Sequence, residues 1–190
     1  MTGLPLVLAS RSLRRKIILQ QMGYRFDIDV SGFDETKVHA RSIKNKVMRI
    51  ACGKAEAVKD RHKDSLILGV DTLVYLNGRS IGQPKNMDEA RMVLRMLMGK
   101  THHVYSGICL LNTKTGKCIS DFDVSKVQLN KVDDEALESY LKSGKYRGKA
   151  GAYNISDPEF KSFVKKVEGS YYNILGMPIE KFQQMMMEAV

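Results

Sequence analysis

A chain of 190 residues that is 43% hydrophobic and 27% charged can build one domain with a substantial core, and is not composed like a disordered segment. Its net charge of +10 favours anionic partners, namely nucleic acid, an anionic membrane surface or phosphorylated small molecules. Three scattered cysteines without a CxxC exclude a disulfide framework, and no apolar run approaches the ~18 residues of a membrane span, so a soluble cytoplasmic protein is expected.

The opening "MTGLPLVLASRS" has no basic region ahead of its short apolar run, which speaks against a signal peptide. Leu6 to Ala9 reads as a buried strand. Leu13, Ile17, Ile18 and Met22 then recur at helical spacing, with Gly23 as the stop. Phe26 to Val30 alternates like a half-buried strand, and Ser42 to about Arg61 carries a helical pattern through Ile43, Val47, Ile50, Ala51, Ala55 and Val58. "SLILGVDTLVYL" is the strongest strand signal, and Asn77-Gly78 after it predicts a hairpin. Met87 to Met98 is helical, with Met87, Ala90, Val93, Leu94 and Leu97 on one face. "VYSGICLLNTKTGKCISDFDVSKVQL" reads as two long strands around a Thr-Gly turn. Asp133 to Ser143 is a short helix opened by acids, "FKSFVKKVEGS" alternates weakly, and Pro178 to Ala189 closes the chain as an amphipathic helix. The expected class is mixed α/β, with hairpins beside crossover connections. No linker or repeat divides the chain, so residues 1–190 are taken as a single domain.

Four stretches could carry chemistry. At "LASRSLRR" a strand runs through Ser10 and Ser12 into a helix start, whose unpaired N–H groups and positive dipole end favour a phosphate. Ser12 suits an N-cap, but Arg14 and Arg15 are misplaced in a first helical turn unless an anion compensates them. Asp71 lies inside an apolar strand, where a carboxylate must be hydrogen-bonded, paired or metal-bound, and where it could activate water. Asp34 and Glu35 in "FDETKV" add hard oxygen ligands suited to Mg²⁺ or Mn²⁺. In "RGKAGAYNIS" small residues around Lys149 permit close backbone approach to a ligand, and Gly148 to Gly151 also fits the unspecific GxxG of nucleic-acid-clamping loops. His102 and His103 are neighbours in a strand, face opposite ways and cannot share a metal. Met185 to Met187 reads as packing, and there is no Walker A loop, GxGxxG or serine elbow.

"LASRSLRR", "DET", "GVDTLV", "THHVYSG", "GKAGAYNI" and "VEGSYYNILGMP" stand in the order of the Maf family, and the chain resembles that family over essentially its whole length. Maf proteins are also called septum formation inhibitor homologues and are known as nucleoside triphosphate pyrophosphatases. The resemblance implies a mixed sheet with hairpins and flanking helices, in two lobes around a deep cleft like that of inosine triphosphate pyrophosphatase. It implies hydrolysis of a nucleoside triphosphate to the monophosphate and pyrophosphate, aided by a divalent cation (Mg²⁺, Mn²⁺ or Co²⁺). Carried over by position, Asp71 is the proton acceptor and, with Glu35, faces the metal. Ser10, Arg14 and Arg15 form the phosphate turn, Lys54 faces the phosphates and Lys149 adds positive charge.

The resemblance also shows departures. Leu13 replaces the proline of Ser-Pro-Arg-Arg, giving up a preset φ but no charge. Gln83 in "IGQPKN" replaces a lysine and loses a phosphate-facing charge, for which Lys85 is the nearest substitute. Arg15 and Thr72 match the subfamily that prefers dTTP and UTP, although Ser156 stands where that subfamily usually has glutamine. Expected substrates are therefore dTTP and UTP. A 7-methyl-GTP or other non-standard nucleotide enzyme, or an inactive protein acting on nucleic acid or in septum regulation, remain the alternatives. The resemblance implies no membrane partner, makes nucleic acid the lesser candidate, and allows a homodimer.

Overall fold

The computed structural model describes residues 3–189. In chain order its strands and helices are β1 (Leu6–Leu8), α1 (Leu13–Gln21), β2 (Asp27–Ile28), α2 (Ile43–Glu56), β3 (Leu66–Leu76), β4 (Arg79–Ile81), α3 (Met87–Leu97), β5 (Thr101–Asn112), β6 (Cys118–Leu129), α4 (Asp134–Lys142), α5 (Pro158–Lys161), β7 (Val164–Glu168), α6 (Tyr171–Ile174) and α7 (Ile179–Glu188). Short 3-10 turns lie at Glu35–Lys37, Lys59–Arg61 and Ala150–Ala152. The sheet runs β2-β1-β3-β5-β6-β7, with β4 paired to β3. Its β1 pairs are parallel, while β3–β4 and β6–β7 are antiparallel, so the class is mixed α/β as expected.

The chain forms two compact units. The first comprises residues up to Asp71, Ser106–Asp123, and the chain from Gly176 on; the second is Thr72–Tyr105 with Val124–Leu175. In the first unit Val7, Ala9, Ile67, Cys109 and Leu111 of the sheet pack with Ala51, Ala55 and Val58 from α2 and its end. Two sheet glycines set the distance between these layers. A Cβ on Gly69 would stand 2.0 Å from the Ala51 carbonyl oxygen, and one on Gly107 would stand 2.2 Å from the Val47 carbonyl carbon. The bare backbone at both positions lets α2 lie directly on β3 and β5. In the second unit Leu94, Leu97, Val127, Tyr140, Tyr153 and Phe160 centre the core. The Tyr153 and Phe160 rings stack 4.7 Å apart.

Most elements follow from the sequence pattern. Ser42, Asn86 and Asp133 each accept a backbone N–H with the side chain and so start α2, α3 and α4. Asn77 and Gly78, both at positive φ, turn β3 into β4. Three places differ. Helix α1 exposes Leu13 and Ile17, at 67% and 42%, and buries Arg15 at 8%. Its apolar spacing therefore marks the inner face only at Ile18, which is buried with Leu19, because Arg15 shares that face. The strand expected over 26–30 shrinks to two residues, with Ile28 and Val30 exposed. The weakly alternating stretch resolves into α5 and β7, and the four-residue helix α6 carries no periodic signal because it is barely one turn.

Candidate functional site

Strand β1 lies parallel to β3 with Leu8 beside Leu68, and the Ala9 N–H bonds to the Leu68 carbonyl at 2.9 Å. The turn leaving β1 and the residues around Asp71 therefore share the carboxyl end of a parallel strand pair, the usual place for a ligand in such sheets. Within the first unit, that end collects Ser10, Arg15, Lys54, Glu35 and Asp71.

Asp71 is 4% exposed. One carboxylate oxygen, Oδ1, accepts from Lys54 Nζ at 2.8 Å, while Oδ2 is buried with no hydrogen-bond partner among the described residues. Lys54, on the last turn of α2, also pairs with Glu35 Oε1 at 2.7 Å and reaches the Val70 carbonyl at 3.4 Å. The glycine two residues before Asp71 is what allows this, since it seats α2 against β3 one turn before Lys54. The two acids of "FDETKV" have separate roles. Asp34 accepts from the Thr36 hydroxyl and N–H and caps its own 3-10 turn, while Glu35 reaches the buried lysine. Glu35 and Asp71 bracket one cation, and Asp71 keeps an open, buried oxygen. Such a set of hard oxygen donors fits a divalent cation.

Arg15 supplies the second half. Its Nη1 donates to Ser10 Oγ at 2.8 Å and its Nε to the Gly176 carbonyl at 2.9 Å. Burial pushes the guanidinium down to about 10; the Asp71 and Glu35 carboxylates oppose that shift and the neighbouring Arg14 charge adds to it. Arg15 thus carries a fixed charge, aimed by Ser10 and felt by Asp71. Ser12 stands at the N-cap position of α1 but makes no side-chain cap, and its N–H turns back to Ser10 Oγ at 3.3 Å. The expected cap is replaced by a turn organised around Ser10. Arg14 is half-buried beside it.

The remaining candidates belong to the second unit. Thr72 directly follows Asp71 along β3 and is half-buried, and Gln83, beyond β4, is exposed. Lys149 Nζ bonds Asp157 Oδ2 at 2.5 Å, with both side chains 14% exposed. Asp157 also accepts from Asn154 Nδ2 at 3.0 Å and from the Tyr140 hydroxyl at 3.2 Å. A lysine engaged this way is not displayed as a nucleic-acid clamp would display it. Ser156 is exposed in the same loop. Asp157 was not singled out from the sequence; its one signal was an acid directly before Pro158, which reads as the start of a short helix. Gly176 was missed as well, because it contributes only a carbonyl.

The Maf-like protein family matches residues 5–189. The chain belongs to the Maf family. A Maf relative from Alkaliphilus metalliredigens, named a dTTP/UTP pyrophosphatase, is 43% identical over 95% of this chain and 94% of its own length. Relatives of the same name from Clostridium kluyveri and Clostridium botulinum are each 38% identical; they cover 95% and 96% of this chain, and the same shares of their own lengths. Among solved structures, a HAM1 protein from Coxiella burnetii is similar over 97% of this chain and 99% of its own, at 13% identity and a TM-score of 0.47. Leu13 heads α1 with its side chain in solvent. Among the described residues no helix is long and apolar enough to cross a membrane.

Proposed function

We propose that this Maf protein hydrolyses nucleoside triphosphates, dTTP and UTP foremost, to the monophosphate and pyrophosphate. The observation that carries the reading is the buried Asp71 carboxylate, paired on one oxygen with Lys54 and open on the other, at the strand end that also presents Ser10 and Arg15. The open Oδ2 takes the proton from the attacking water, a contribution of roughly 10²–10⁴ in rate for a positioned base. Arg15, with Arg14 beside it, neutralises phosphate charge from a site already desolvated, where such a charge acts most strongly. Lys54 keeps Asp71 oriented. Glu35 and Asp71 would hold a divalent cation, which when bound neutralises phosphate charge and orients the oxygens. The three free thiols agree with a reduced, cytoplasmic setting, and the whole chain acts as one Maf domain.

A nucleotide panel assayed with Mg²⁺, Mn²⁺ and Co²⁺ tests this reading. Wild-type protein should release pyrophosphate, not orthophosphate, from dTTP and UTP. Asp71→Asn should lose at least ~10²-fold in kcat while still binding dTTP. Normal turnover by that variant, or orthophosphate as the product, would refute the assignment.

A further inference from the structure

The chain has three cysteines, and the fold brings all three to one point. Cys52 comes from α2, Cys109 from β5 and Cys118 from the start of β6, and their sulfurs lie within 4.8 Å of one another. Cys109 and Cys118 are 3.3 Å apart. The β5–β6 hairpin explains that pair. Its Asn112 N–H bonds to the Lys117 carbonyl at 2.9 Å, and counting outward from there puts Cys109, Cys118 and Ser120 on one face. Helix α2 then presents Cys52 to that face from the distance Gly107 and Gly69 allow.

An apolar role accounts for Cys109, which is wholly buried, but not for Cys118, which is exposed. A disulfide would use two of the sulfurs and leave the third without a purpose. We propose that Cys52, Cys109 and Cys118 form a binding site for a soft d10 cation of the Zn²⁺ class, with its fourth position open to solvent beside Cys118. Tetrahedral thiolate ligands at about 2.3 Å from zinc stand about 3.8 Å from one another, inside the range these sulfurs already span. Thiolate ligands select such metals over Mg²⁺ and Mn²⁺, so the site is chemically separate from the carboxylate pair of Glu35 and Asp71. The three thiols interact with one another: hydrogen bonds, from Cys109 first, lower the Cys52 thiol against burial, the bond to Cys52 and burial raise Cys109, and burial above all raises Cys118. Binding would replace the thiol protons that now bridge the sulfurs and release them to solvent.

The test uses Co²⁺ as a spectroscopic probe of the full-length protein, kept reduced by a phosphine. One equivalent should produce a near-ultraviolet sulfur-to-cobalt charge-transfer band that one equivalent of Zn²⁺ abolishes. Cys118→Ser, at an exposed position that tolerates the change, should lower the band by about a third and weaken binding at least ~10-fold, and Cys52→Ser should act likewise. Asp71→Asn should leave the band unchanged. No charge-transfer band in reduced wild-type protein, a band indifferent to both serine variants, or one that vanishes in Asp71→Asn would each overturn the proposal. So would air oxidation to a Cys109–Cys118 disulfide in a protein that shows no band when reduced.

Discussion

Lys54 and His102 are both buried and polar, yet their environments act on them in opposite ways. Lys54 is bracketed by two carboxylates at 2.7 and 2.8 Å, so its charge is compensated, and removing Lys54 would leave the buried Asp71 carboxylate unpaired. His102 has no carboxylate. It is wholly buried, its Nε2 meets the Tyr153 hydroxyl at 2.6 Å, and its Nδ1 has no partner among the described residues. Burial, with a smaller contribution from the neighbouring His103, pushes the imidazole down from 6.5 to about 4. In the unfolded chain it would titrate near 6.5. The unfolded state therefore binds more protons between those values, so the stability His102 provides is complete above pH 6.5 and is lost as pH falls towards 4. Urea unfolding should show wild type about 1–2 kcal/mol less stable at pH 5 than at pH 7 from this group, and His102→Gln should shrink that difference. An identical pH dependence in the variant would show that another group is responsible.

Helix α2 is the element on which the site depends. It carries Lys54 and Cys52, and it lies on the sheet only because Gly69 and Gly107 leave room for its backbone. Adding a methyl group at Gly107 would meet Val47 backbone at 2.2 Å, and main chain cannot step aside as a side chain can. Gly107→Ala should therefore lower stability by about 1–3 kcal/mol in denaturant titrations, and kcat should fall as α2 shifts. Gly32→Ala, where nothing lies within 4 Å, should change stability by less than ~0.5 kcal/mol. Equal stability of the two variants would show that α2 can move without cost. The sequence announced α2, α3 and α7 through their spacing and α4 through its acidic opening, and the structure adds a capping side chain at the start of α2, α3 and α4. The sequence misjudged the inner face of α1, where Arg15 takes the place that periodicity assigned to Leu13 and Ile17. Periodicity assumes that burial follows hydrophobicity, and a binding site is where that assumption fails.

Across the molecule the charge is uneven in use. Arg61 is committed to Asp29, Arg91 to Glu138 and Asp88, and Lys145 to Glu159, yet the chain still carries +10 overall. A polyanionic nucleotide is drawn to such a surface, and salt screens that attraction over about 10 Å at 0.1 M. Raising NaCl from roughly 0.05 to 0.5 M should therefore raise KM for dTTP several-fold with little change in kcat, because the buried Asp71 and Arg15 are screened least. Oligonucleotide binding that persists at physiological salt would favour a nucleic-acid partner instead. By itself the sequence determined the α/β class, the hairpin at Asn77-Gly78, most helix starts, and the residue types at the site, since these rest on local spacing and single-residue preference. Only the tertiary structure decided that Glu35 and not Asp34 meets Lys54, that Ser12 leaves α1 uncapped while Ser10 aims Arg15, that Lys149 is engaged by Asp157, and that Cys52, Cys109 and Cys118 converge. Each depends on groups that meet only in the folded chain. For α2, which carries Lys54 and Cys52, Gly69 and Gly107 permit the approach and show nothing of their partner until the chain has folded.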